Sequence, residues 1–271
     1  MIDFAPALGA LDDDRAALLD ALLARAARDR SSPEEGFAPR VVPIRETGDR
    51  LPLFMVHGSG GRALFLHDLA RHMAAGQPVY GIEAAANGPK LDRSALCDQY
   101  LAAMRSIQPD GPYRIGGYSG GALIAFEMAA RLGDQVDMVL MIDPVSVPEA
   151  DQERSMNARE RLEHRFRIAR LAGITPLSSE FPRVGRVNRD FATVARDFPT
   201  EPIDVKLHIV RATIGDDVCS TEAAARWASL ARRGCLTASL ATDHAGIVRD
   251  PCAADLSRLI EGWIDAINPG S

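Results

Sequence analysis

The stretch YRIGGYSGGALIAFEMAARL (113–132) decides the fold of this chain. It begins with a short apolar run that is typical of a buried strand, turns through GYSGG (117–121), and continues into helix-forming residues. A G-x-S-x-G motif between a strand and a helix predicts a nucleophile elbow, in which the serine projects from a sharp turn at the edge of a sheet. Glycines permit such a turn, and the first free N–H groups of the helix point toward the serine oxygen. The stretch therefore predicts Ser119 as a nucleophile.

Apolar runs and helical stretches alternate along most of the remaining chain. Further short apolar runs predict strands at 53–57, 78–82, 137–142, 205–210 and 236–240. Helical stretches are predicted at 62–75, 94–108, 120–132, 221–233 and 252–267. Strands that alternate with helices indicate an α/β fold, with a mostly parallel sheet and helices on both faces.

The region from about residue 147 to 203 interrupts this alternation. It contains the charged helical sequence ERSMNARERLEHRFRIARLAG, then a proline-containing stretch, and no convincing strand. An insertion of this size between two strands of a sheet predicts a helical lid.

The amino-terminal region has a different pattern. LDDDRAALLDALLARAARDR (11–30) places leucines at helical spacing behind acidic residues, which predicts an amphipathic helix, and SSPEEGFAP (31–39) is typical of a linker. The chain is thus divided into a helix and linker at 1–39 and a main domain at 40–268. The helix would either dock a partner or pack on its own domain, and the sequence leaves both roles open.

Composition excludes several classes of function. The net charge of −6 argues against a nucleic acid or an anionic membrane as partner. The opening residues do not resemble a secretory signal, and no apolar run is long enough to cross a bilayer, so we expect a cytoplasmic protein. The four cysteines form no C-x-x-C pair, and HGSGG (57–61) lacks the spacing of a phosphate or dinucleotide loop. No metal or bound cofactor is therefore expected.

A serine hydroxyl needs a general base to become a nucleophile at neutral pH. Five of the six histidines lie in predicted strands, in helices or in the lid: His57, His67, His72, His164 and His208. The sixth, His244 in TDHAGIVRDP (242–251), follows the last predicted strand and precedes the final helix. This is the loop in which an α/β-hydrolase carries its base, so His244 is the predicted base.

The acid that would orient this base has two candidates. In α/β-hydrolases the chain order is serine, acid, histidine. Asp143 ends the strand after the elbow, and Asp217, beside Asp216, follows the next strand. Asp143 also suits a structural turn before Pro144. The residues alone leave this choice open.

Four segments together resemble the thioesterase domains that terminate nonribosomal peptide and polyketide assembly lines, which have the α/β-hydrolase fold. The segments are LFMVHGSGG (53–61), the elbow block (113–132), VLMIDP (139–144) and TDHAGIVRDP (242–251). The resemblance covers roughly residues 40–268, and the elbow block is its most specific part. Two features depart from it. Ala122 stands where related domains often have glycine, and the doublet Asp216-Asp217 leaves an editing-type thioesterase as an alternative function.

The resemblance implies roles for particular residues. In chain-terminating members the acid ends the strand after the elbow, which implies Asp143 as the orienting acid in preference to Asp217. The backbone N–H groups of Gly120 and Ser59, with Gly58 as an alternative to Ser59, would form the oxyanion hole.

The resemblance also implies an activity and a partner. The activity is release of an acyl, peptidyl or polyketide chain from a phosphopantetheinyl carrier protein through an acyl-serine intermediate, by hydrolysis or macrocyclisation. The partner would be an acyl or peptidyl carrier protein. The arginines of the lid are typical of a solvated helix surface, and a less favoured interpretation has some of them contact the acidic surface of the carrier or the phosphate of its arm. Two other functions remain as alternatives: a general serine esterase or amidase acting on a free small molecule, and a catalytically silent binding module.

Overall fold

The structure, a computed structural model, describes residues 10–28, 38–85, 91–145, 156–171, 174–175, 178, 180–196, 202–215 and 219–267. Its strands are β1 (Arg40–Arg45), β2 (Leu53–Val56), β3 (Val79–Glu83), β4 (Tyr113–Tyr118), β5 (Val136–Ile142), β6 (Leu207–Ala212) and β7 (Cys235–Leu240). Its helices are α1 (Asp13–Arg28), α2 (Leu66–His72), α3 (Arg93–Arg105), α4 (Gly121–Leu132), α5 (Ala158–Leu171), α6 (Phe181–Arg196), α7 (Thr221–Ser229) and α8 (Cys252–Ile267).

The seven strands form one sheet in the order β1-β3-β2-β4-β5-β6-β7. All neighbouring strands are parallel except β1, which runs antiparallel to β3. The mostly parallel sheet predicted from the sequence is thereby confirmed. In the register, Val56 of β2 lies opposite Gly117 of β4, and Ile142 of β5 lies opposite Tyr118. The carboxyl ends of these three strands therefore meet at one edge of the sheet.

Strand β1 was not predicted. Its sequence, RVVPIR, has a proline in the middle, which cannot donate a hydrogen bond to a neighbouring strand. At the edge of the sheet this loss is tolerated, and the register shifts between Pro43 and Arg45. The apolar residues on both sides of the proline were the sequence feature that indicated a strand.

The core lies on both faces of the sheet. One face is covered mainly by α3, α4 and α7, which bury Tyr100, Phe126 and Trp227. The other face is covered by α2 and α8, for example by Leu69 and Ile260. Burying one such apolar side chain contributes roughly 1.5–3 kcal/mol. The apolar character of α4 fits its position, because ten of its twelve residues are buried between the sheet and its neighbours.

Two helices, α5 and α6, lie between β5 and β6 where the sequence predicts a lid. We call them the lid helices. Helix α6 places Val187, Phe191 and Val194 in the same apolar cluster as α4 and the central strands. It therefore lies against the carboxyl edge of the sheet, where the elbow is.

Helix α1 packs on the lid helices. Ala16 is fully buried and clusters with Leu162 of α5, while Leu23 clusters with Phe181 and Val184 of α6. On the opposite face of α1, the side chains of two leucines remain exposed, Leu18 at 60% and Leu22 at 53%.

Two polar contacts accompany this packing. Asp20 of α1 forms an ion pair with Arg165 of α5. The carboxylate of Asp13 accepts a hydrogen bond of 3.2 Å from the backbone N–H of Arg159, in the first turn of α5. Of the two roles that the sequence left open, packing on its own domain accounts for one face of α1.

Candidate active site

The turn between β4 and α4 has the geometry of a nucleophile elbow. Ser119 has φ 56°, a left-handed conformation that is unfavourable for residues other than glycine. Its backbone N–H donates to the carbonyl of Ile142 at 2.9 Å, which fixes the turn to β5. Helix α4 begins so close to β2 that a Cβ on Gly121 would lie 2.2 Å from the carbonyl oxygen of His57, so only glycine fits there. These contacts hold Ser119 at the carboxyl edge of the sheet.

Ser119, His244 and Asp143 form a chain of hydrogen bonds. Nε2 of His244 lies 3.0 Å from Oγ of Ser119, and Nδ1 lies 2.6 Å from Oδ2 of Asp143. Because a carboxylate only accepts hydrogen bonds, Nδ1 carries the proton, and Nε2 is left to accept from the serine hydroxyl. The structure thus brings together the three residues that the sequence predicts as nucleophile, base and acid.

The carboxylate of Asp143 is held from two directions. Its second oxygen, Oδ1, accepts hydrogen bonds from the backbone N–H groups of Ala212 and Cys219, both at 3.0 Å. Its own backbone N–H donates to the carbonyl of Val210 at 2.7 Å, and its φ is 41°. Only 1% of Asp143 is exposed. The alternative candidate, Asp217, lies outside the described residues.

Tyr118, the first of the two variable residues of the elbow motif, also contacts His244. Its hydroxyl donates a hydrogen bond of 2.7 Å to the backbone carbonyl of His244, and the two rings stack with centroids 5.0 Å apart. Burial, with a smaller effect from the charge of Asp143, raises the pKa of Tyr118, so the hydroxyl stays a donor. Sequence reasoning missed this residue because any amino acid satisfies the motif at that position.

His57 is buried beside the elbow and is fully bonded. Its Nε2 lies 2.5 Å from the hydroxyl of Tyr100, and its Nδ1 lies 2.7 Å from the carbonyl of Gly58. Burial lowers the pKa of His57 to about 4, so the ring is neutral near pH 7. It supports the turn that follows β2, and both of its ring nitrogens are bonded to groups other than Ser119.

The remaining histidines contact other parts of the molecule. His67 is exposed on α2, His72 pairs with Asp250 at 2.7 Å, and His164 contacts Arg167 on α5. Burial in β6 lowers the pKa of His208 to about 4. Within the described ranges, no three histidine, cysteine or acidic side chains cluster as a metal site, and no helix is long and apolar enough to cross a membrane.

The predicted oxyanion donors lie on neighbouring strands. Ser59 is half-buried in the turn after β2, and Gly120 lies immediately before α4. The parallel pairing of β2 with β4 places these two turns side by side at the carboxyl edge. Two N–H groups in the first turn of α4 are bonded within the elbow, that of Ala122 to the carbonyl of Ser119 at 3.2 Å and that of Leu123 to the carbonyl of Gly120 at 3.1 Å. An anion at the elbow would therefore meet the N–H groups that precede them, such as that of Gly120.

A lid helix covers this part of the site. A Cβ on Gly120 would lie 2.2 Å from Cδ2 of Phe191 on α6, so the phenyl ring sits directly against the elbow. Phe191 also stacks on His57, with ring centroids 5.7 Å apart. Ser119, next to Gly120, is only 4% exposed.

Ion pairs attach the lid to the turn after β2. The guanidinium of Arg62 donates to both oxygens of Glu180, at 3.0 and 2.7 Å, just before α6. It also donates to Glu83 of β3 at 2.9 Å. Burial alone would raise the pKa of Glu83, but hydrogen bonds from Arg62 and from the N–H of Ala63 hold it below its usual value. Arg62 is therefore bonded to the lid and to the sheet at once.

Solved structures with a similar fold include a thioesterase domain and a nonribosomal peptide synthetase. The NocB thioesterase domain, solved as a covalent complex with a fluorophosphonate nocardicin G analog, has a TM-score of 0.68 and 19% identity, covering 83% of this chain and 99% of that domain. AB3403, a four-domain nonribosomal peptide synthetase, has a TM-score of 0.68 and 20% identity, covering 90% of this chain and 21% of the synthetase. At this level of identity the likeness shows the fold alone, and it confirms the predicted α/β-hydrolase architecture.

Sequence comparison identifies the family. Chondramide synthase cmdD of Chondromyces crocatus is 42% identical over 107 residues, which are 38% of this chain and 3% of the synthase. Atromentin synthetase nps3 of Serpula lacrymans is 36% identical over 139 residues, which are 48% of this chain and 14% of the synthetase. The chain thus spans a small part of each of these relatives. The family model of the thioesterase domain matches residues 51–258, most of the chain, and the protein therefore belongs to the thioesterase domain family.

Proposed function

We propose that this protein is a serine thioesterase that releases an acyl, peptidyl or polyketide chain from a phosphopantetheinyl carrier protein. The observation that carries the proposal is the hydrogen-bond chain from Ser119 through His244 to Asp143, in a member of the thioesterase domain family. The relatives named above are synthases, which supports a carrier-bound chain as the substrate.

In the first half of the reaction, Oγ of Ser119 attacks the thioester carbonyl while Nε2 of His244 takes its proton. Asp143 holds the imidazole in the required tautomer and stabilises the imidazolium that forms. When the tetrahedral intermediate collapses, the carbon–sulfur bond breaks, and His244 returns the proton to the departing thiol. The products are the free thiol of the carrier arm and an ester of Ser119.

The negative oxygen of the tetrahedral intermediate would be stabilised by the backbone N–H groups of Gly120 and Ser59. Removing one such donor typically costs roughly 2.7–4 kcal/mol of barrier height. The Phe191 ring against Gly120 makes this environment apolar, which strengthens the hydrogen bonds to a developing charge.

In the second half, His244 activates the group that attacks the acyl-serine ester. If that group is water, the product is a free acid. If it is a hydroxyl or amine of the acyl chain itself, the product is a macrocycle. Both outcomes use the same residues, and the share of each depends on how far the lid excludes water. The proposed chemistry needs no cofactor beyond the phosphopantetheine of the carrier, so dialysis against EDTA should leave turnover unchanged.

Intact-protein mass spectrometry tests the proposal. Wild-type protein and the Ser119→Ala variant would be mixed with a panel of acyl-phosphopantetheinyl carrier proteins and with matched simple esters. We expect an acyl adduct on the wild type only, formed faster from the carrier than from the ester.

Other outcomes favour other functions. Preference for the simple esters would indicate a general esterase, and preference for short acyl groups on the carrier would indicate an editing thioesterase. No adduct and no turnover on any substrate would overturn the proposal in favour of a silent binding module.

A further inference from the structure

We propose that Tyr118 is a positioning residue that holds the imidazole of His244 in line with Ser119. The inference rests on the proposed function, because it concerns the same reaction. It assigns a role to Tyr118, one of the two positions of the GYSGG turn that the motif leaves undefined.

The first argument is that Tyr118 contacts both parts of His244. The hydroxyl donates to the backbone carbonyl at 2.7 Å, and the ring stacks on the imidazole at 22° between planes. The edges of the imidazole are bonded to Asp143 and Ser119. Tyr118 supplies the contact that these edge bonds lack, since it covers a face of the ring and fixes the backbone that carries it.

The second argument is that Tyr118 is itself held in place. Its ring lies 5.1 Å from the ring of Phe65, centroid to centroid. On another side, a Cβ on Gly58 would lie 2.8 Å from Cδ1 of Tyr118, so the ring packs closely on the turn after β2. A side chain confined in this way can define the position of a neighbour.

The third argument is the position of Tyr118 in the chain. It is the last residue of β4 and directly precedes Ser119, whereas His244 lies in a loop beyond β7. The hydrogen bond from Tyr118 therefore ties the loop of the base to the strand that carries the nucleophile. Movements of the loop then change the distance between Oγ and Nε2 less than they otherwise would.

The stack also suits the charge that develops during the reaction. His244 becomes a cation each time it takes a proton, and an aromatic face attracts a cation close to it. Tyr118 thus contacts the base in both protonation states. Its effect should appear in kcat more than in KM, because it orients the base and need not touch the acyl chain.

The chain offers a matched control at the other end of the same strand. Tyr113, the first residue of β4, is buried, and its hydroxyl also donates to a backbone carbonyl, that of Pro109, at 2.7 Å. Tyr118→Phe and Tyr113→Phe therefore remove the same atom from the same kind of hydrogen bond. Only Tyr118 is bonded to the loop of the base.

The test measures kcat and KM with a small acyl thioester, together with the rate at which a fluorophosphonate labels Ser119. We expect Tyr118→Phe to lower kcat and the labelling rate about 3- to 10-fold, the effect of one lost hydrogen bond, with KM unchanged. Tyr118→Leu, which also loses the stack, should lower both by about 100-fold, the usual result of a misplaced catalytic group. Tyr113→Phe should leave both rates unchanged.

The inference is overturned if Tyr118→Phe behaves like Tyr113→Phe, or if KM rises while kcat stays constant. A melting temperature for each variant separates misfolding from misorientation, and if Tyr118→Leu does not fold, the two phenylalanine variants decide alone. If the wild type is labelled by fluorophosphonate but turns over no thioester, the proposed function fails. The labelling rates then still decide the role of Tyr118.

Discussion

The substitution Asp143→Asn should remove most of the activity while leaving the fold intact. In the structure, Oδ1 of Asp143 accepts two backbone N–H groups, and Oδ2 faces Nδ1 of His244. An asparagine has one acceptor oxygen, and the two N–H donors will hold it on the Oδ1 side. Its NH₂ group then faces His244.

This arrangement reverses the tautomer of the base. Facing an NH₂ donor, Nδ1 of His244 must accept, so the proton moves to Nε2, which can no longer accept from Ser119. The same substitution in a serine protease lowers kcat by about 10⁴-fold. We expect a similar loss, equivalent to about 5.4 kcal/mol of barrier height. Because asparagine tolerates a positive φ, the 41° at this position should not destabilise the variant.

The assay is steady-state hydrolysis of an acyl thioester by the wild type, Asp143→Asn and Asp217→Asn, with a melting temperature for each. Asp217→Asn should have a small effect. A loss of less than tenfold for Asp143→Asn, or a larger loss for Asp217→Asn, would refute the assignment of Asp143 as the orienting acid.

Three further predictions concern the lid and the buried histidine. Gly120→Ala would place its Cβ 2.2 Å from the Phe191 ring, so it should destabilise the fold by roughly 1–3 kcal/mol in thermal unfolding, and Phe191→Ala in the same chain should restore part of the loss. Glu180→Gln removes the charge that pairs with Arg62, so a bulky phosphonate should label the protein faster while a small one does not; equal rates would show that this pair does not restrain the lid. Burial lowers the pKa of His57 from 6.5 to about 4, so between these two pH values the unfolded state binds more protons than the folded state. The free energy of unfolding should therefore fall by roughly 3 kcal/mol as the pH drops across this range, and by less in His57→Gln.

The elbow and the sheet could be predicted because their signals are local. The glycines around Ser119, the apolar strand before it and the helix after it all lie within twenty residues of sequence. His244 was predicted from the order of elements, because it follows the last predicted strand and precedes the final helix. Strand β1 was missed for a local reason as well, since Pro43 argues against a strand unless the strand is known to lie at an edge.

The acid could not be chosen from the residues because its partners are distant in sequence. The N–H groups that orient Asp143 belong to Ala212 and Cys219, 69 and 76 residues away. The same limit applies to Tyr118, whose partner His244 lies 126 residues away, and to Arg62, which meets Glu180 across 118 residues. Contacts between residues so far apart in sequence form only when the sheet is assembled, so no local sequence pattern predicts them.

The packing of α1 on the lid helices has a thermodynamic consequence. If the lid opens while α1 stays in place, Ala16 and Leu23 are uncovered, and the free energy of exposing them adds to the free energy of opening. If α1 moves with the lid, these residues stay covered and opening carries no such additional free energy. A molecule bound to the exposed face of α1, at Leu18 and Leu22, would shift the lid equilibrium only by the difference between its affinities for the two lid positions. By the same linkage, a substrate that holds the lid open would change the affinity of α1 for that molecule by an equal factor.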